Sequence, residues 1–389
     1  MTTQASSNAD PIIVIGAGLA GYNLVKELRK LGCDQPIQII CADDGRNYSK
    51  PMLSTGFSKN KSADELAMAS AADMAEQLNI VVRNNTRVTG IDTDAHRIFI
   101  GQEPVAYSKL VLAWGAGVIE PRLAGDGGER IFSINDLQDY SRFRAAAEGK
   151  KKVVVMGAGL IGMEYANDLA AGGFDIDVVA PGDQALPALL PKTAADAVQN
   201  SLEQLGVRFH IGPVVSRVDN AGDGVQVTLS NGEVIAADLV VSAIGLRPRL
   251  DLAVKAGLKV NRGVVTDRQL QTSAADVYAL GDCAEVCGHV LLYVMPLMTC
   301  SRALAKTLNG TPTEVVFGAM PVTVKTPALP VVVAVPADEN AGSWQIESDG
   351  NDVQAEFRAE NGELLGYALT GARVMNKVAL NKALPAIMP

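Results

Sequence analysis

Apolar and polar positions repeat in two similar blocks along most of this chain. Two apolar runs, Ile12 to Ile15 and Val153 to Val155, each precede a glycine-rich turn. The residues after each turn, Tyr22 to Leu31 and Met163 to Ala170, have a helical pattern. The order of strand, glycine-rich turn and helix is typical of a βαβ unit. The pattern therefore predicts two α/β units of the same design.

Further short apolar runs predict the remaining strands of both blocks. In the first block these strands are Ile37 to Cys41, Ile80 to Val82, Arg87 to Thr93, His96 to Ile100 and Lys109 to Ala113. A loop rich in Gly and Pro, Gly115 to Gly128, and a helix, Leu137 to Ala147, lead into the second block. Its strands are Asp177 to Val179, Val207 to Ile211, Val225 to Leu229 and Leu239 to Ser242.

The pattern after the second block indicates that this block is inserted in the first. Val277 to Leu280 is predicted to be another buried strand, and it ends in Gly281 and Asp282. From about Ala319 the pattern changes to short strands at Val322 to Lys325, Val331 to Val335, Ser343 to Glu347, Val353 to Phe357 and Leu364 to Leu369, followed by a helix from Arg373 to Leu384. Asn231-Gly232 and Asn361-Gly362 are dipeptides that favour hairpin turns.

The predicted fold is therefore α/β, with two Rossmann-like dinucleotide-binding domains and a small C-terminal α+β domain. Residues 1–116 and 246–318 are assigned to the first dinucleotide domain and residues 117–245 to the inserted one. Residues 319–389 form the C-terminal domain.

Both glycine-rich turns have the spacing GxGxxG. The first glycine permits a tight turn, the second lets the backbone approach a pyrophosphate, and the third lets helix pack on strand. The helix N-terminus then supplies N–H groups and a positive dipole to the anion. The residues concerned are Gly16, Ala17, Gly18, Leu19, Ala20 and Gly21 in the first turn, and Gly157, Ala158, Gly159, Leu160, Ile161 and Gly162 in the second.

Composition narrows the classes of function. The chain has 389 residues, 20% charged and 48% hydrophobic, with a net charge of −9 and no block of Lys and Arg, which disfavours a nucleic-acid partner. No stretch approaches the roughly 18 apolar residues of a membrane span. Residues Met1 to Pro11 are polar and lack the pattern of a secretory signal, so we expect a cytoplasmic protein.

The cysteines and histidines do not form a metal site or a disulfide scaffold by spacing. Cys283 and Cys287 have three residues between them, which fits neither a redox CxxC nor a zinc knuckle. Cys283 follows an acid at a predicted helix start, so either a lowered pKa or a buried structural thiol is possible, and the second is favoured. His96, His210 and His289 are scattered. We expect no metal.

Three segments carry a resemblance to a known family. They are Ala42 to Ser54, Val294 to Met298 and Pro321 to Pro327. With the two glycine turns, they make the chain resemble the flavoprotein reductases of the FAD-dependent pyridine nucleotide-disulfide oxidoreductase superfamily. The segment around Lys325 narrows the resemblance to rubredoxin reductases. The resemblance implies non-covalent FAD in the first domain and NADH in the second.

The resemblance and the spacing together nominate residues around the FAD. Asp43 lies about 20 residues after the first glycine turn, where an acid hydrogen-bonds a ribose 2′-hydroxyl, and a simple turn residue beside Gly45 is the less favoured alternative. Ala42 would make backbone contacts, and Val88 would contact the adenine unless it is an ordinary strand valine. Gly281 and Asp282 resemble the motif at the flavin ribityl chain, for which a helix cap is the alternative.

The resemblance also places charged residues beside the flavin ring. Lys50 and Lys325 resemble lysines near the isoalloxazine, where a cation favours the reduced, anionic flavin. Glu164 resembles a glutamate that pairs with the lysine at the position of Lys50 and lies beside flavin and nicotinamide. The alternatives are solvated surface lysines and an exposed first-turn glutamate. Gly245 and Val294 lie in segments that resemble further cofactor contacts.

The second domain is predicted to prefer NADH. The strand Asp177 to Val179 is followed by Ala180, where an NADP enzyme often has a basic residue. No Lys or Arg occurs between Phe174 and Pro191, and Asp183 would repel a 2′-phosphate. Trp114 stands where relatives have a threonine, while Gly115 is predicted to keep the turn.

The absence of a cysteine near Lys50 bears on how electrons leave the flavin. Relatives that reduce disulfides or peroxides use a cysteine near Lys50, but this chain has no cysteine between Cys41 and Cys283. Electrons are thus expected to leave the flavin directly, and the resemblance implies that they pass to rubredoxin, a small acidic iron protein, as in alkane hydroxylation. Alternative acceptors are a [2Fe-2S] ferredoxin, an oxygenase component or oxygen. An alternative of another class is a protein that senses NADH.

An acidic carrier would need a local basic rim on this protein. That rim could come from Arg46, Lys50, Lys59 and Lys61, although these could be ordinary solvated loop residues.

Overall fold

Two sheets of parallel strands organise the chain, each in its own compact unit. The computed structural model describes residues 10–389, so most of the polar stretch Met1 to Pro11 lies outside the described residues. The first unit comprises the described residues up to Ser49, with Ala67–Gly117 and Leu246–Val316. The second comprises Lys50–Leu66, Val118–Gly245 and Phe317–Pro389.

The first unit is built on a five-stranded parallel sheet. From one edge to the other its strands are Val277–Ala279, Lys109–Leu112, Ile12–Ile15, Ile37–Ile40 and Val81–Arg83. All four residues of Ile12–Ile15 are buried, as expected for a strand covered on both faces. The strand Val277–Ala279 joins this sheet after the second block has intervened in the chain, which confirms the predicted insertion.

Helices and smaller sheets complete the first unit. The helices Leu19–Lys30 and Val294–Leu308 pack on each other. Other helical segments are Ala71–Leu78, Asp251–Lys255 and the 3-10 turn Gly281–Cys283. The remaining strands are Asn47–Tyr48, Ala67–Ala69, Gly90–Asp92, Arg97–Ile100, Glu103–Ala106, Leu246–Pro248, Val264–Thr266 and Ala284–Val286, with Ala116–Val118 at the end of the unit's second segment.

The second unit has a parallel sheet of the same size. Its strands run in the order Ile131–Phe132, Leu239–Ser242, Lys152–Met156, Asp175–Pro181 and Arg208–Gly212. Buried residues of a three-stranded antiparallel sheet pack against it. That sheet consists of Val215–Ala221, Gly224–Leu229 and Val234–Ala237. The helical segments are Lys50–Thr55, Ala63–Leu66, Gly128–Arg130, Leu137–Ala146, Leu160–Ala171 and Lys192–Glu203.

The C-terminal part of the second unit is a five-stranded antiparallel sheet. The strand order is Val322–Val324, Val331–Ala334, Leu364–Thr370, Asp352–Arg358 and Ser343–Asp349. The last segment is a 3-10 helix, Gly371–Asn376, that continues into an α-helix, Lys377–Ala383. The α-helix is thus shorter than the predicted Arg373 to Leu384.

The sequence prediction of turns is confirmed and that of strands differs in places. Asn231-Gly232 and Asn361-Gly362 each connect two antiparallel strands, and both glycines have positive φ, +87° and +85°. The predicted strand Arg87 to Thr93 is reduced to Gly90–Asp92. The strand Glu103–Ala106 was not predicted, because a proline at its second position argues against a strand except at a sheet edge, where this one lies.

We predict that the third glycine of the second fingerprint contributes to the stability of the fold. A Cβ on Gly162 would lie 1.9 Å from the backbone oxygen of Gly157, whereas a Cβ on Gly159 would meet nothing within 4 Å. Gly162→Ala should lower the free energy of unfolding by about 2–3 kcal/mol, as overpacking does. Gly159→Ala is the matched control and should change it by less than about 1 kcal/mol. Urea midpoints followed by circular dichroism measure both, and equal midpoints would contradict the prediction.

Candidate functional site

The first glycine turn forms an open backbone cradle at a helix N-terminus. Gly16 has φ +118°, and a Cβ there would lie 2.3 Å from the backbone oxygen of Ala113. A Cβ on Gly21 would lie 2.0 Å from the oxygen of Gly16. Gly18 is the N-cap of the helix Leu19–Lys30, supplies no side-chain cap, and faces open space. The first-turn N–H groups can therefore bind an anion, and no acid lies in that turn.

The second glycine turn repeats this geometry in the other unit. Gly157 has φ +102°, and its Cβ would lie 2.6 Å from the oxygen of Ala243. Gly159 is the N-cap of the helix Leu160–Ala171, with no side-chain cap and no acid in the first turn. Ile161 is 39% exposed at this open end. Both turns therefore fit a dinucleotide pyrophosphate in the shape of the backbone as well as in sequence.

Gly281 lies against the first turn of the helix that follows the first fingerprint. It has φ +75°, and a Cβ on it would lie 2.9 Å from the Cβ of Ala20. Asp282 follows it in the 3-10 turn Gly281–Cys283. Val294 begins the helix that packs on the fingerprint helix, and it is 40% exposed. The structure thus brings Gly281 beside the first glycine turn, and contact of Gly281 and Asp282 with the flavin ribityl chain stays a prediction.

Asp43 lies in the loop that follows the second strand of the first unit. Its Oδ1 accepts a hydrogen bond from Gly45 N at 3.1 Å, so the turn interpretation of this residue is confirmed. The backbone of the loop is fixed as well, because Asp43 O accepts from Asn85 N at 2.6 Å. Ala42 is exposed and Val88 is 8% exposed. The bond to Gly45 orients the Asp43 carboxylate and leaves its ribose role a prediction.

In the second unit, Glu164 is the centre of a buried polar cluster. It is 1% exposed on the helix Leu160–Ala171. Its Oε2 accepts a hydrogen bond from Ser54 Oγ at 2.6 Å and an ion pair from Lys325 Nζ, and its Oε1 accepts from Lys325 N at 2.9 Å. Lys325 Nζ also donates to Ser54 Oγ at 2.7 Å. The ion pair between Glu164 and Lys325 was not predicted, and the pairing of Glu164 with Lys50 that the resemblance implied stays a prediction.

The next turn of the same helix binds the backbone just beyond Ser54 and just beyond Lys325. Asp168 accepts from Phe57 N at 2.8 Å, Ser58 N at 3.0 Å and Ser58 Oγ at 2.5 Å. Asn167 Oδ1 accepts from Ala328 N at 3.1 Å. Asn167 and Asp168 are each 3% exposed. Sequence reasoning missed Ser54, Asn167 and Asp168, although polar residues spaced i, i+3 and i+4 on an otherwise apolar helix are a readable signal.

Aromatic packing fixes the segment that bears Lys50 and Ser54. The ring of Phe57 lies 5.6 Å from that of Tyr140, 5.2 Å from Phe143 and 5.7 Å from Phe174, measured between centroids. Tyr140 Oη also donates to Lys61 O at 2.7 Å. Lys50 begins this segment and is half-buried. The segment is therefore positioned by the second unit's own core.

The remaining predicted site features lie as follows. Gly245 has φ +124°, and its oxygen accepts from Ile119 N at 3.0 Å. Ala180 is buried near the end of its strand and Asp183 is exposed in the loop beyond. Gly115 has φ +72° and keeps the predicted turn, while Trp114 Nε1 donates to Arg249 O at 2.9 Å.

The structure bears on two alternatives left open by the sequence, the basic rim at Arg46 and the role of Cys283. Arg46 Nε pairs with Asp44 at 2.8 Å, so this arginine is partly neutralised as a member of a basic rim. Cys283 Sγ donates to Leu112 O at 3.3 Å, and burial raises the pKa of this thiol to about 12. The structural interpretation of Cys283 is thereby confirmed.

Residues 10–389 contain neither a candidate membrane-spanning helix nor a cluster of potential metal ligands. Every helix among them is too short or too polar to span a bilayer. Across the same residues, three or more His, Cys, Asp or Glu side chains nowhere converge as metal ligands.

Comparisons with known proteins agree with this geometry. A family model described as pyridine nucleotide-disulphide oxidoreductase matches residues 10–306, and one described as rubredoxin binding C-terminal domain matches residues 314–384. A ferredoxin reductase from Rhodopseudomonas palustris has the same fold, with a TM-score of 0.86 at 24% identity over 98% of this chain and 96% of that one.

Two curated relatives are similar over nearly their whole length. Rubredoxin-NAD(+) reductase of Alcanivorax borkumensis is 57% identical over 97% of this chain and 100% of that protein. Rubredoxin-NAD(+) reductase of Acinetobacter baylyi is 43% identical over 97% of this chain and 99% of that protein. The chain belongs to the pyridine nucleotide-disulphide oxidoreductase family and, within it, to the rubredoxin-NAD(+) reductases.

Proposed function

We propose that this protein is an FAD-dependent reductase that passes electrons from NADH to rubredoxin in the cytoplasm. The observation that carries the acceptor is the match of residues 314–384 to the rubredoxin binding C-terminal domain, a range that includes Lys325. The 57% identity to a rubredoxin-NAD(+) reductase over the whole chain supports the same reaction. We infer that FAD binds without a covalent link. When bound, it would supply the chemistry that takes two electrons from NADH and releases them one at a time.

The two glycine cradles have separate roles in this proposal. Gly16 to Gly21 bind the pyrophosphate of FAD, and Gly157 to Gly162 bind that of NADH. Residues 1–116 and 246–318 then form the FAD domain, residues 117–245 the NADH domain, and residues 319–389 the domain that receives the carrier. The further FAD contacts we assign are Ala42, Asp43, Val88, Gly281, Asp282 and Val294, with Gly245 at the nicotinamide nucleotide.

The polar cluster around Glu164 positions a cation for the flavin. Glu164 and Ser54 both bind Lys325 Nζ, so this ammonium group has a fixed direction. We assign Lys325 and Lys50 to the surroundings of the isoalloxazine. A cation there stabilises negative charge on the reduced ring, which raises the flavin potential and favours its reduction by NADH.

The proposed acceptor is tested by carrier-dependent turnover. We expect anaerobic NADH to bleach the purified yellow protein, and added rubredoxin to support rapid NADH-dependent cytochrome c reduction. A [2Fe-2S] ferredoxin added in place of rubredoxin is the control. Turnover with ferredoxin alone would overturn the acceptor, and fast bleaching without turnover by either carrier would point to oxygen. A very slow reduction by NADH with a long-lived charge-transfer complex would instead favour a sensing role.

We predict that Lys325→Ala lowers the flavin potential while FAD stays bound. Removing this cation should slow reduction by NADH by about tenfold, which corresponds to roughly 1.4 kcal/mol in the barrier. Spectroelectrochemical titration measures the potential, and stopped-flow absorbance measures the rate. An unchanged potential and rate would remove Lys325 from the flavin site.

A second variant separates this electrostatic effect from lost stability. Lys325→Ala alone leaves the buried Glu164 carboxylate without its cation, which should cost about 2–3 kcal/mol of folding free energy. The double variant Lys325→Ala with Glu164→Gln removes both charges and should recover most of that stability. Its potential should stay below that of Lys325→Arg, which keeps the cation.

We predict that NADH is preferred over NADPH by at least about tenfold in kcat/KM, or roughly 1.4 kcal/mol. Asp183 is exposed beyond the strand Asp175–Pro181, and its charge opposes a 2′-phosphate. Asp183→Asn should therefore improve kcat/KM for NADPH and leave that for NADH within about twofold. Steady-state kinetics with both nucleotides check this, and an equal change for both would show that Asp183 does not face the ribose.

A further inference from the structure

The last segment of the chain, residues 371–389, differs in charge from the rest of the protein. Its sequence contains Arg373, Lys377 and Lys382 and neither Asp nor Glu, in a chain whose net charge is −9. Lys377 and Lys382 are exposed. A local positive surface of this kind can attract an acidic partner even when the whole protein is negative.

One face of this segment is fixed to the C-terminal sheet. Val374, Leu380 and Leu384 pack against a buried cluster of that sheet that includes Tyr367. Tyr367 Oη donates to Asn381 Oδ1 at 2.6 Å. At the other end of the segment, Asp352 Oδ1 accepts from Ala372 N at 2.8 Å. The segment is therefore docked in one orientation, with a defined outer face.

That outer face carries apolar side chains that the fold does not cover. Met375 is 80% exposed, the highest value among the large hydrophobic side chains of residues 10–389, and Val378 is 59% exposed. Met375, Val378 and Lys382 are spaced i, i+3 and i+7, which places them along one side of the helical segment. The helix dipole favours Lys382 in the last turn, but it gives no reason for an exposed methionine.

We propose that Met375 and Val378, with Lys377 and Lys382 around them, form the surface on which rubredoxin docks. This inference rests on the proposed function and adds the place of contact. An apolar centre inside a charged rim is the usual composition of a protein interface, and the positive rim complements an acidic carrier. Electron-transfer encounters bury small areas, so a short helical segment can supply much of one side.

This surface is distinct from the basic rim that the sequence suggested. Lys59 and Lys61 lie on the segment Lys50–Leu66, outside the range that matches the rubredoxin binding domain. Met375, Val378 and both outer lysines lie inside that range. The match names the domain, whereas the charge and exposure of the outer face select one surface within it.

The test uses the full-length FAD-loaded protein and purified rubredoxin. Met375→Asp should lower kcat/KM for rubredoxin at least about fivefold, while the rate of flavin reduction by NADH stays within about twofold. Lys377→Glu with Lys382→Glu should lower kcat/KM further at low salt and flatten its dependence on ionic strength.

Matched controls carry the same changes elsewhere. Met68→Asp alters a methionine that is 61% exposed in the first unit. Lys255→Glu with Lys306→Glu makes the same change in net charge at two exposed positions of that unit. We expect both to behave like the unmodified protein. The pair Lys59→Glu and Lys61→Glu tests the competing rim, and a larger loss there than at Lys377 and Lys382 would overturn the proposal.

Failure of this inference can be distinguished from failure of the proposed function. If the unmodified protein does not reduce rubredoxin, the proposed function is wrong. If it does, and Met375→Asp matches the Met68→Asp control, only the docking surface is wrong. A dimer in sedimentation that Met375→Asp dissociates would assign this face to a second copy. Flotation with anionic vesicles that Met375→Asp abolishes would assign it to a lipid surface.

Discussion

The buried carboxylate of Glu164 is the constraint on which the geometry of the second unit depends. A charge that is 1% exposed is costly unless it is paired and hydrogen-bonded. Here both oxygens are used, one by Lys325 N and the other by Ser54 Oγ and Lys325 Nζ. A pair of this kind adds little net stability, because desolvation offsets the attraction. It does fix direction, since Lys325 binds both carboxylate oxygens, one through its backbone N and the other through Nζ.

The helix Leu160–Ala171, which bears Glu164, has two structural roles. Its N-terminus lies behind Gly159, where free N–H groups meet open space. Its buried side holds the turn at Ser54, the backbone of Phe57 and Ser58, and the loop before the second strand of the C-terminal sheet. Two segments that are distant in the chain, residues 54–58 and residues 325–328, are therefore positioned from one rigid element. A shift of this helix would move the nucleotide cradle and Lys325 together.

The sequence predicted those features that depend on local chemistry. Both fingerprints and the two Asn-Gly hairpins were found because a positive φ or a close backbone approach demands glycine at a single position. The strand Glu103–Ala106 was missed because its only requirement is an edge position, which local pattern does not show. The bond between Lys325 and Glu164 spans 161 residues, and no periodicity relates positions so far apart. The resemblance implied that both residues lie near the flavin, but it did not imply their bond to each other.

Recognition of the electron donor and recognition of the electron acceptor depend on different chemical groups. Glycine cradles of this kind can bind any dinucleotide through backbone N–H groups, so their presence says nothing about the acceptor. The thiol of Cys283 does not decide the acceptor either, since it is buried and burial raises its pKa to about 12. Specificity must therefore come from side chains on a surface. Such side chains stand out because folding does not require them: Met375, 80% exposed, gains almost nothing from burial in this chain, and for this reason we assign it to the proposed docking surface.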